Sequence, residues 1–208
     1  QMIVKGHDFP NVTLVGVLAA DMSLYTGDYR SGERTFQLLT QAAGRAGRGE
    51  RPGEAVIQTY DPSHYAIETA AAQDYEAFYE EEIRYRELMG YPPAEQLLAV
   101  FVSGEDEGLL EKGCHYLKEY ILRVIRGLSG REDARTGKTG MRTVQPAAAV
   151  IGPASPGIDK IKDVYRRVIY IKAEQYELLV AMKNRVEKYI EINSGFDSMR
   201  IQFDFNPM

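Results

Sequence analysis

The sequence lacks the features that mark secreted, membrane-spanning and disordered chains. Its single cysteine, Cys114, cannot form an intrachain disulfide, so we expect a reducing, cytoplasmic setting. The longest apolar run, Val12 to Ala20, is much shorter than the about 18 residues of a membrane span, and neither a span nor a secretory leader is expected. With 44% hydrophobic and 26% charged residues, the composition is that of a globular protein, which excludes disorder throughout.

A strong excess of either charge is also missing. The formal net charge is −5, which argues against nonspecific coating of nucleic acid but leaves local basic patches open. The length of 208 residues fits one large domain or two small ones, and we expect two compact units.

The first part of the chain predicts a strand, a helix and a second strand. Val12 to Ala20 is apolar almost without interruption, which predicts a strand buried on both faces of a parallel sheet. Residues 31–48 predict a helix with Ser31 as its N-cap and with the glycines at 44, 47 and 49 to end it, and Glu54 to Tyr60 predicts the second strand. Because two parallel strands leave an apolar face and an edge uncovered, we expect this part to belong to a longer chain and to be mobile or self-associating.

Residues 64–90 predict one long amphipathic helix or two shorter helices. The residues expected on the apolar face are Tyr75, Phe78, Tyr79, Ile83 and Leu88. The run Glu80-Glu81-Glu82 is expected to face solvent, as most charge runs do.

The remainder predicts the order β-α-β-β-α-β, the split βαβ plan, with two helices on one face of an antiparallel sheet. The predicted strands are 97–102, 148–151, 163–172 and 199–205, and the predicted helices are 107–128 and 174–192. Residues 129–145 are rich in glycine, threonine and charge, which predicts a mobile loop. The predicted fold class is therefore mixed, an α/β part followed by an α+β part.

The most informative short segment is Gln41 to Arg48. On a continuous helix, Gln41, Gly44, Arg45 and Arg48 share one face. Guanidinium groups are planar, permanently charged and able to bind phosphate oxygens in pairs, which suits them to a γ-phosphate. The alternative interpretation is structural: the arginines offset the negative end of the helix dipole, and Gly47 or Gly49 is the C-cap.

A basic segment lies near the end of the chain. Its cations are Lys160, Lys162, Arg166, Arg167 and Lys172, with Tyr165 and Tyr170 between them. Cations can bind a phosphate backbone while a ring stacks on an unpaired base. Strand alternation places Tyr165 and Arg167 on the face opposite Arg166, so about half of these residues can belong to the core and not to a ligand-binding surface. The alternative for the whole segment is an ordinary solvated strand and turn.

Two segments resemble helicase motifs. Gly6-His7-Asp8-Phe9 resembles motif V of the superfamily 2 helicases, and Gln41 to Arg48 matches their motif VI, Gln-x-x-Gly-Arg-x-Gly-Arg. Over nearly the whole chain the sequence resembles the PriA family of replication-restart helicases (primosomal protein N′). Further resembling residues are Phe78, Glu82, Arg86, Tyr91-Pro92-Pro93, Gly152-Pro153-Ala154-Ser155-Pro156, Ile158, Lys160-Ile161 and Tyr165-Arg166.

This resemblance implies a role for each matching residue. Arg45 and Arg48 would reach the γ-phosphate of ATP, with Arg48 as the arginine finger. Gln41 would order the nucleotide or the attacking water, and Gly44 would permit close approach. The motif V residues Gly6 and Asp8 would couple the nucleotide cleft to nucleic acid, with Lys5 as a phosphate contact; a helix-entry turn capped by Asp8 is the alternative.

The resemblance also implies an organisation and partners. Residues 1–63 would be the end of the second, RecA-like helicase lobe, 64–94 connecting helices and 95–208 a C-terminal α+β domain. The parent would be a bacterial, nucleoid-associated 3′-to-5′ DNA helicase that binds forked or single-stranded DNA, primosome proteins and single-stranded-DNA-binding protein. Its cofactors would be ATP and Mg²⁺, and its zinc site would lie outside this chain.

The chemistry of this chain alone is expected to be incomplete. No G-x-x-x-x-G-K-[ST] phosphate loop and no Asp-Glu-x-His box occurs in the sequence, so we expect no ATP hydrolysis without further protein. His7, His64, His115 and Cys114 are scattered, so no metal site is predicted. Two other hypotheses remain open: a non-catalytic nucleic-acid or protein docking module, and a small-molecule-sensing regulatory domain.

Overall fold

The computed structural model describes residues 11–48, 51–136 and 148–207. The chain divides into two compact units between Leu88 and Met89. The first unit contains a parallel sheet and the second an antiparallel one, so the predicted mixture of α and β structure with both kinds of sheet is confirmed. No helix of the described part is long and apolar enough to cross a membrane.

The described part of the first unit contains two short strands and three α-helices, with a 3-10 turn at Ala20–Ser23. Its elements are β1 (Leu14–Val17), α1 (Ser31–Ala43), β2 (Glu54–Ile57), α2 (Tyr65–Ala72) and α3 (Tyr75–Met89), the last ending at the boundary between the units. Strands β1 and β2 pair in parallel, with Leu14 opposite Glu54 and Val17 opposite Ile57. A core of side chains from the helices lies against this pair, and its fully enclosed members include Phe36, Leu39, Ala66, Ile67 and Phe78.

The prediction that the first strand is buried on both faces is wrong for the described residues. Along β1 exposed and half-buried positions alternate, and Leu14 and Leu18 are 61% and 79% exposed. Only the face with Val17 and Ile57 packs against the core of the unit. The apolar run therefore also carries exposed side chains, Leu14 and Leu18.

Helix α1 starts and ends earlier than the sequence predicts. Its N-cap is Arg30, without a side-chain cap, and Ser31 is the first helical residue. The Asp28 carboxylate accepts a hydrogen bond from the backbone N–H of Arg30 at 3.0 Å, and so supports the turn that leads into the helix. The C-cap is Gly44, the first of the three glycines expected to end the helix, and not Gly47 or Gly49 as the structural interpretation of the arginine segment expected.

Asp21 joins the segment after β1 to the segment after β2. This residue is 5% exposed, and its carboxylate accepts hydrogen bonds from the Thr59 hydroxyl and from the backbone N–H of Tyr60 at 2.9 Å. The Thr59 hydrogen bond, followed by the Tyr60 N–H, lowers the pKa of Asp21, because these donors stabilise the ionised form.

We expect this carboxylate to make the first unit sensitive to acid. Since its folded-state pKa is depressed, its contribution is complete above the unfolded pKa of about 3.9 and is lost as the pH falls through the folded value. Asp21→Asn should therefore unfold at lower urea concentration than wild type at about pH 6, with the gap narrowing toward about pH 3. If the difference in urea midpoint between wild type and Asp21→Asn stays constant over this pH range, the ionised carboxylate of Asp21 does not stabilise the unit.

The second unit is a sheet with two helices. Its elements are β3 (Gln96–Gly104), α4 (Glu107–Thr136), β4 (Ala149–Ala154), β5 (Lys160–Ile161), β6 (Val164–Ala173), α5 (Tyr176–Glu191) and β7 (Arg200–Phe205). The strand order is β4-β6-β3-β7, with β5 paired to β6. All these pairs are antiparallel.

The core of the second unit lies between this sheet and its helices. Leu98 and Val100 of β3 pair with Ile171 and Ile169 of β6, and the side chains of these four residues are fully buried. The helices cover them with side chains that include Leu110, Leu117, Ile121, Leu179, Met182 and Val186. Alternate strand residues face this core, as the period of two requires.

Two differences from the sequence expectations concern this unit. The predicted mobile loop at 129–145 is wrong in its first part, because α4 continues to Thr136; residues 137–147 lie outside the described residues. The short strand β5 was not predicted. It forms a tight hairpin with β6, with Lys160 opposite Tyr165 and Ile161 opposite Val164.

Candidate functional site

The predicted arginine segment forms a turn after α1, which we call the arginine turn (residues 44–48). The N–H groups of Arg45 and Ala46 bond the carbonyls of Ala42 and Ala43, both at 3.1 Å, so the backbone tightens to a three-residue spacing. The expectation that Gln41, Arg45 and Arg48 share one face of a continuous helix is therefore wrong. Gln41 is on the helix, whereas both arginines follow it.

Gly47 fixes the arginine turn to the two strands of its unit. Its backbone is left-handed, with φ of 74°, which favours glycine. Its N–H donates to the carbonyl of Val12 at 2.9 Å, just before β1. A Cβ at Gly47 would lie 2.6 Å from the backbone nitrogen of Gly53, just before β2. The turn is thus held against the segments that enter both strands.

The side chains of the arginine turn differ in exposure. Arg48 and Gln41 are exposed, and Arg45 is half-buried. The Arg48 Nε donates to the Gly44 carbonyl at 3.1 Å, which curls the guanidinium back over the end of α1, where the helix dipole favours a cation.

Lys5 and the motif V residues Gly6 and Asp8 lie outside the described residues.

A buried charged cluster in the first unit was missed by the sequence analysis. Glu82 and Arg86 of α3 are only 5% and 9% exposed. The Arg86 guanidinium bonds Glu82 at 2.7 Å and Glu33 of α1 at 2.8 Å. Tyr65, the first residue of α2, donates its hydroxyl to Glu82 at 2.7 Å. We call these four residues the Arg86 network.

The prediction that the whole glutamate run faces solvent is wrong at Glu82. The apolar face is also misplaced, since Tyr75, Tyr79 and Leu88 are 63%, 53% and 83% exposed while Phe78 is buried. Phe78, Glu82 and Arg86 follow one another at intervals of four residues, so they form one stripe of the helix. The four-residue spacing from Phe78 is the feature of the sequence that could have indicated the burial of Glu82 and Arg86.

The partners of Arg86 determine its charge state. Burial opposes the charged form, but hydrogen bonds to Glu33 and Glu82 outweigh it and raise the pKa of Arg86. Burial and the hydrogen bond to Glu82 raise the pKa of Tyr65 well above its ordinary value. The guanidinium also lies 5.5 Å from the ring centroid of Tyr29, within the range of a cation–π contact.

The basic segment forms the β5–β6 hairpin. Lys162 and Asp163, at its two-residue turn, have φ of 49° and 64°, which is the geometry of a type I′ turn. Lys160 bonds Asp163 at 3.0 Å and lies 4.6 Å from the ring centroid of Tyr165. The Arg166 N–H donates to the carbonyl of Asp159 at 2.8 Å. Lys160, Lys162 and Arg166 therefore belong to one hairpin, in which Lys160 lies on the face of Tyr165 and Arg166 on the opposite face.

Two other predicted cations are turned away from this group. Arg167 is 12% exposed in its side chain and bonds Glu111 at 2.6 Å and Glu107 at 3.0 Å. Lys172 donates to the carbonyl of Met89 at 2.7 Å and lies 4.0 Å from the ring centroid of Tyr91. Arg167 was predicted as a nucleic-acid contact, but its two carboxylate partners neutralise it against α4.

Within 11–48, 51–136 and 148–207, no group of three or more histidine, cysteine or acidic side chains could hold a metal ion. Cys114 is buried in the second core, and burial raises the pKa of its thiol to about 11.

The chain is similar to known proteins over its whole length. The family model for the Primosomal protein N C-terminal domain matches residues 87–208. "Replication restart protein PriA" of Bacillus subtilis is 41% identical over 211 residues, covering 100% of this chain and 23% of that protein. The proteins of the same name from Chlamydia trachomatis and Synechocystis are 36% and 33% identical over 208 residues, with 100% of this chain covered in each.

These relatives are much longer than the present sequence. The chain covers 23%, 25% and 22% of the Bacillus, Chlamydia and Synechocystis proteins. The match nevertheless runs through the arginine turn, the Arg86 network and the basic hairpin. On these grounds the chain belongs to the PriA family, with the family's C-terminal domain at residues 87–208.

Proposed function

We propose that this chain supplies the C-terminal part of an ATP-dependent 3′-to-5′ DNA helicase that acts in replication restart, the assembly of a primosome at stalled forks. Family membership supports the role in replication restart, because the relatives carry that term in their names. In this proposal the first unit is the end of a RecA-like helicase lobe, and the second is a split βαβ domain that contacts DNA and partner proteins.

The observation that carries this proposal is the geometry of the arginine turn. Two guanidinium side chains follow a helix that crosses from one parallel strand to the next, and Gly47 fixes the turn to both strand entries. A group that stabilises charge on a transferring phosphate must be held in place before the reaction. Arg48 is proposed as the finger, Arg45 as a second phosphate contact and Gln41 as the residue that orders nucleotide or water.

The chain requires further protein to complete this chemistry. Its sequence contains no phosphate loop, so ATP and Mg²⁺ would be held by another part of the full-length gene product. ATP hydrolysis by that product with Arg48→Ala tests the assignment, and an undiminished rate contradicts it.

The basic hairpin is proposed as a DNA contact of the same protein. Lys160, Lys162 and Arg166 lie on one tight turn, with Lys162 exposed and Tyr165 beside Lys160. Cations on an exposed turn can neutralise successive phosphates, and binding then weakens as salt rises.

We expect the double variant Lys160→Ala/Arg166→Ala to bind single-stranded DNA more weakly, with a shallower dependence on salt. Loss of two phosphate contacts should reduce the slope of log K against log salt by about 1.4. Titration of the chain with single-stranded and forked DNA at several salt concentrations measures this slope. Lys183→Ala, which removes a cation paired with Glu187 on α5, is the control and should leave the slope unchanged. An unchanged slope in the double variant removes the hairpin from the DNA-binding surface.

A further inference from the structure

The Arg86 network joins α1, α2 and α3. Arg86 and Glu82 come from α3, Glu33 from the first turn of α1 and Tyr65 from the start of α2. Glu82 and Arg86 have side-chain exposures of 7% and 11%, so water contributes little to holding them. A buried ion pair adds little net stability over apolar packing, and it is better suited to fixing one arrangement of its neighbours.

The first turn of α1 fits closely against this network. A Cβ on Gly32 would lie 2.7 Å from the Tyr65 Oη and 2.8 Å from the Glu82 Oε2, so the backbone of α1 reaches the network without a side chain between them. One turn further, the ring of Phe36 stacks on Phe78 of α3 at 4.2 Å between centroids. Ring and charge contacts together set the direction in which α1 points.

The direction of α1 and the contacts of Gly47 together set the position of the arginine turn. Glu33 and Ala43, the last helical residue, are ten positions apart, or about 15 Å along a helix at 1.5 Å per residue. A tilt of about 5° at Glu33 would therefore move the end of α1, from which the arginine turn continues, by about 1.3 Å. Misplacement of about 1 Å can reduce a catalysed rate about 100-fold.

We propose that Arg86 and Glu82 are positioning residues that fix α1 and thereby hold Arg45 and Arg48 at the γ-phosphate. This inference rests on the proposed function, since it assigns the network a task in the same reaction. Neither residue touches the nucleotide: Arg86 acts on α1 through Glu33, and Glu82 acts through Arg86 and Tyr65.

The test is the ATPase activity of the full-length gene product with Glu82→Gln and, separately, Arg86→Lys. Each change preserves size and part of the hydrogen bonding, so the unit should remain folded while α1 loses its fixed direction. We expect kcat to fall about 10- to 100-fold with the KM for ATP within about twofold of wild type, because only the transition state needs the arginines in place.

The same helix offers a matched control. Glu81 and Arg84 form an ion pair at 2.7 Å, but their side chains are 49% and 68% exposed. Glu81→Gln and Arg84→Lys make the same chemical changes on the solvent side of α3, and both should retain kcat. Equal losses in the control and network variants overturn the proposal.

Combination with Arg48→Ala separates positioning from general damage. If Glu82 acts through the arginines, adding Glu82→Gln to Arg48→Ala should reduce kcat by less than about threefold more. If Glu82→Gln lowers kcat as much in the Arg48→Ala background as it does in wild type, Glu82 does not act by positioning the arginines. Normal activity of Arg48→Ala alone contradicts the proposed function, whereas impaired Arg48→Ala with normal Glu82→Gln and Arg86→Lys contradicts only this inference.

Discussion

Replacing Arg48 with alanine should lower the ATPase kcat of the full-length gene product by at least about 1,000-fold. An arginine finger contributes about 10³–10⁵ in kcat to phosphoryl transfer, because its charge meets the negative charge that spreads over the phosphoryl oxygens. The KM for ATP should change little, since an interaction made chiefly in the transition state appears in kcat. Steady-state hydrolysis with saturating DNA measures both constants.

Two further variants show whether this loss comes from guanidinium chemistry. Arg48→Lys keeps the charge but loses the planar fork, so its kcat should lie between those of Arg48→Ala and wild type. Arg34 is also on α1 and bonds Asp28 at 2.6 Å, with 46% of its side chain exposed. Arg34→Ala should keep a kcat close to wild type. If Arg34→Ala and Arg48→Ala lose activity equally, the effect belongs to the helix and not to the finger.

Arg86→Met should lower the free energy of unfolding of the first unit by about 3–5 kcal/mol, the usual effect of removing one partner from a buried ion pair. Glu82 is then left as a charge that is only 7% exposed, with the Tyr65 hydroxyl as its remaining partner. Hydrogen exchange of α1 peptides in increasing urea reports this unit separately from the second.

The matching double variant tests the physical origin of that loss. Glu82→Leu/Arg86→Met removes both charges, and apolar side chains of similar volume often replace a buried pair without a large loss. We expect the double variant to be more stable than Arg86→Met alone, although the Tyr65 hydroxyl loses its acceptor. If the double variant loses as much free energy of unfolding as Glu82→Leu and Arg86→Met lose together, the two charges contribute to stability independently of each other.

The sequence predicted those features that depend on neighbouring residues. Strands were predicted at 97–102 and 163–172 from the apolar residues within each segment, and they correspond to β3 and β6. The end of α1 was harder to predict, because glycines stand at 44, 47 and 49 while Ala46 between them favours a helix. Contacts of Gly47 with Val12 and Gly53 tighten the backbone there, and they join parts of the chain that are distant in sequence.

The surroundings of the charged residues also depend on residues that are distant in sequence. Arg167 looked like a surface cation because its partners Glu107 and Glu111 are 60 and 56 positions away. Glu82 looked solvated because its neighbours in sequence are also glutamates, whereas Arg86 and Tyr65 determine its surroundings. Local sequence reports which groups are charged. Only the fold reports which of them are already paired.

The contact between Gly47 and Gly53 has a mechanical consequence. Because main chain meets main chain there, the segment bearing Arg45 and Arg48 is held close to the start of β2. Under the proposed function, a movement that withdraws these guanidiniums is therefore expected to carry β1 and β2 with it.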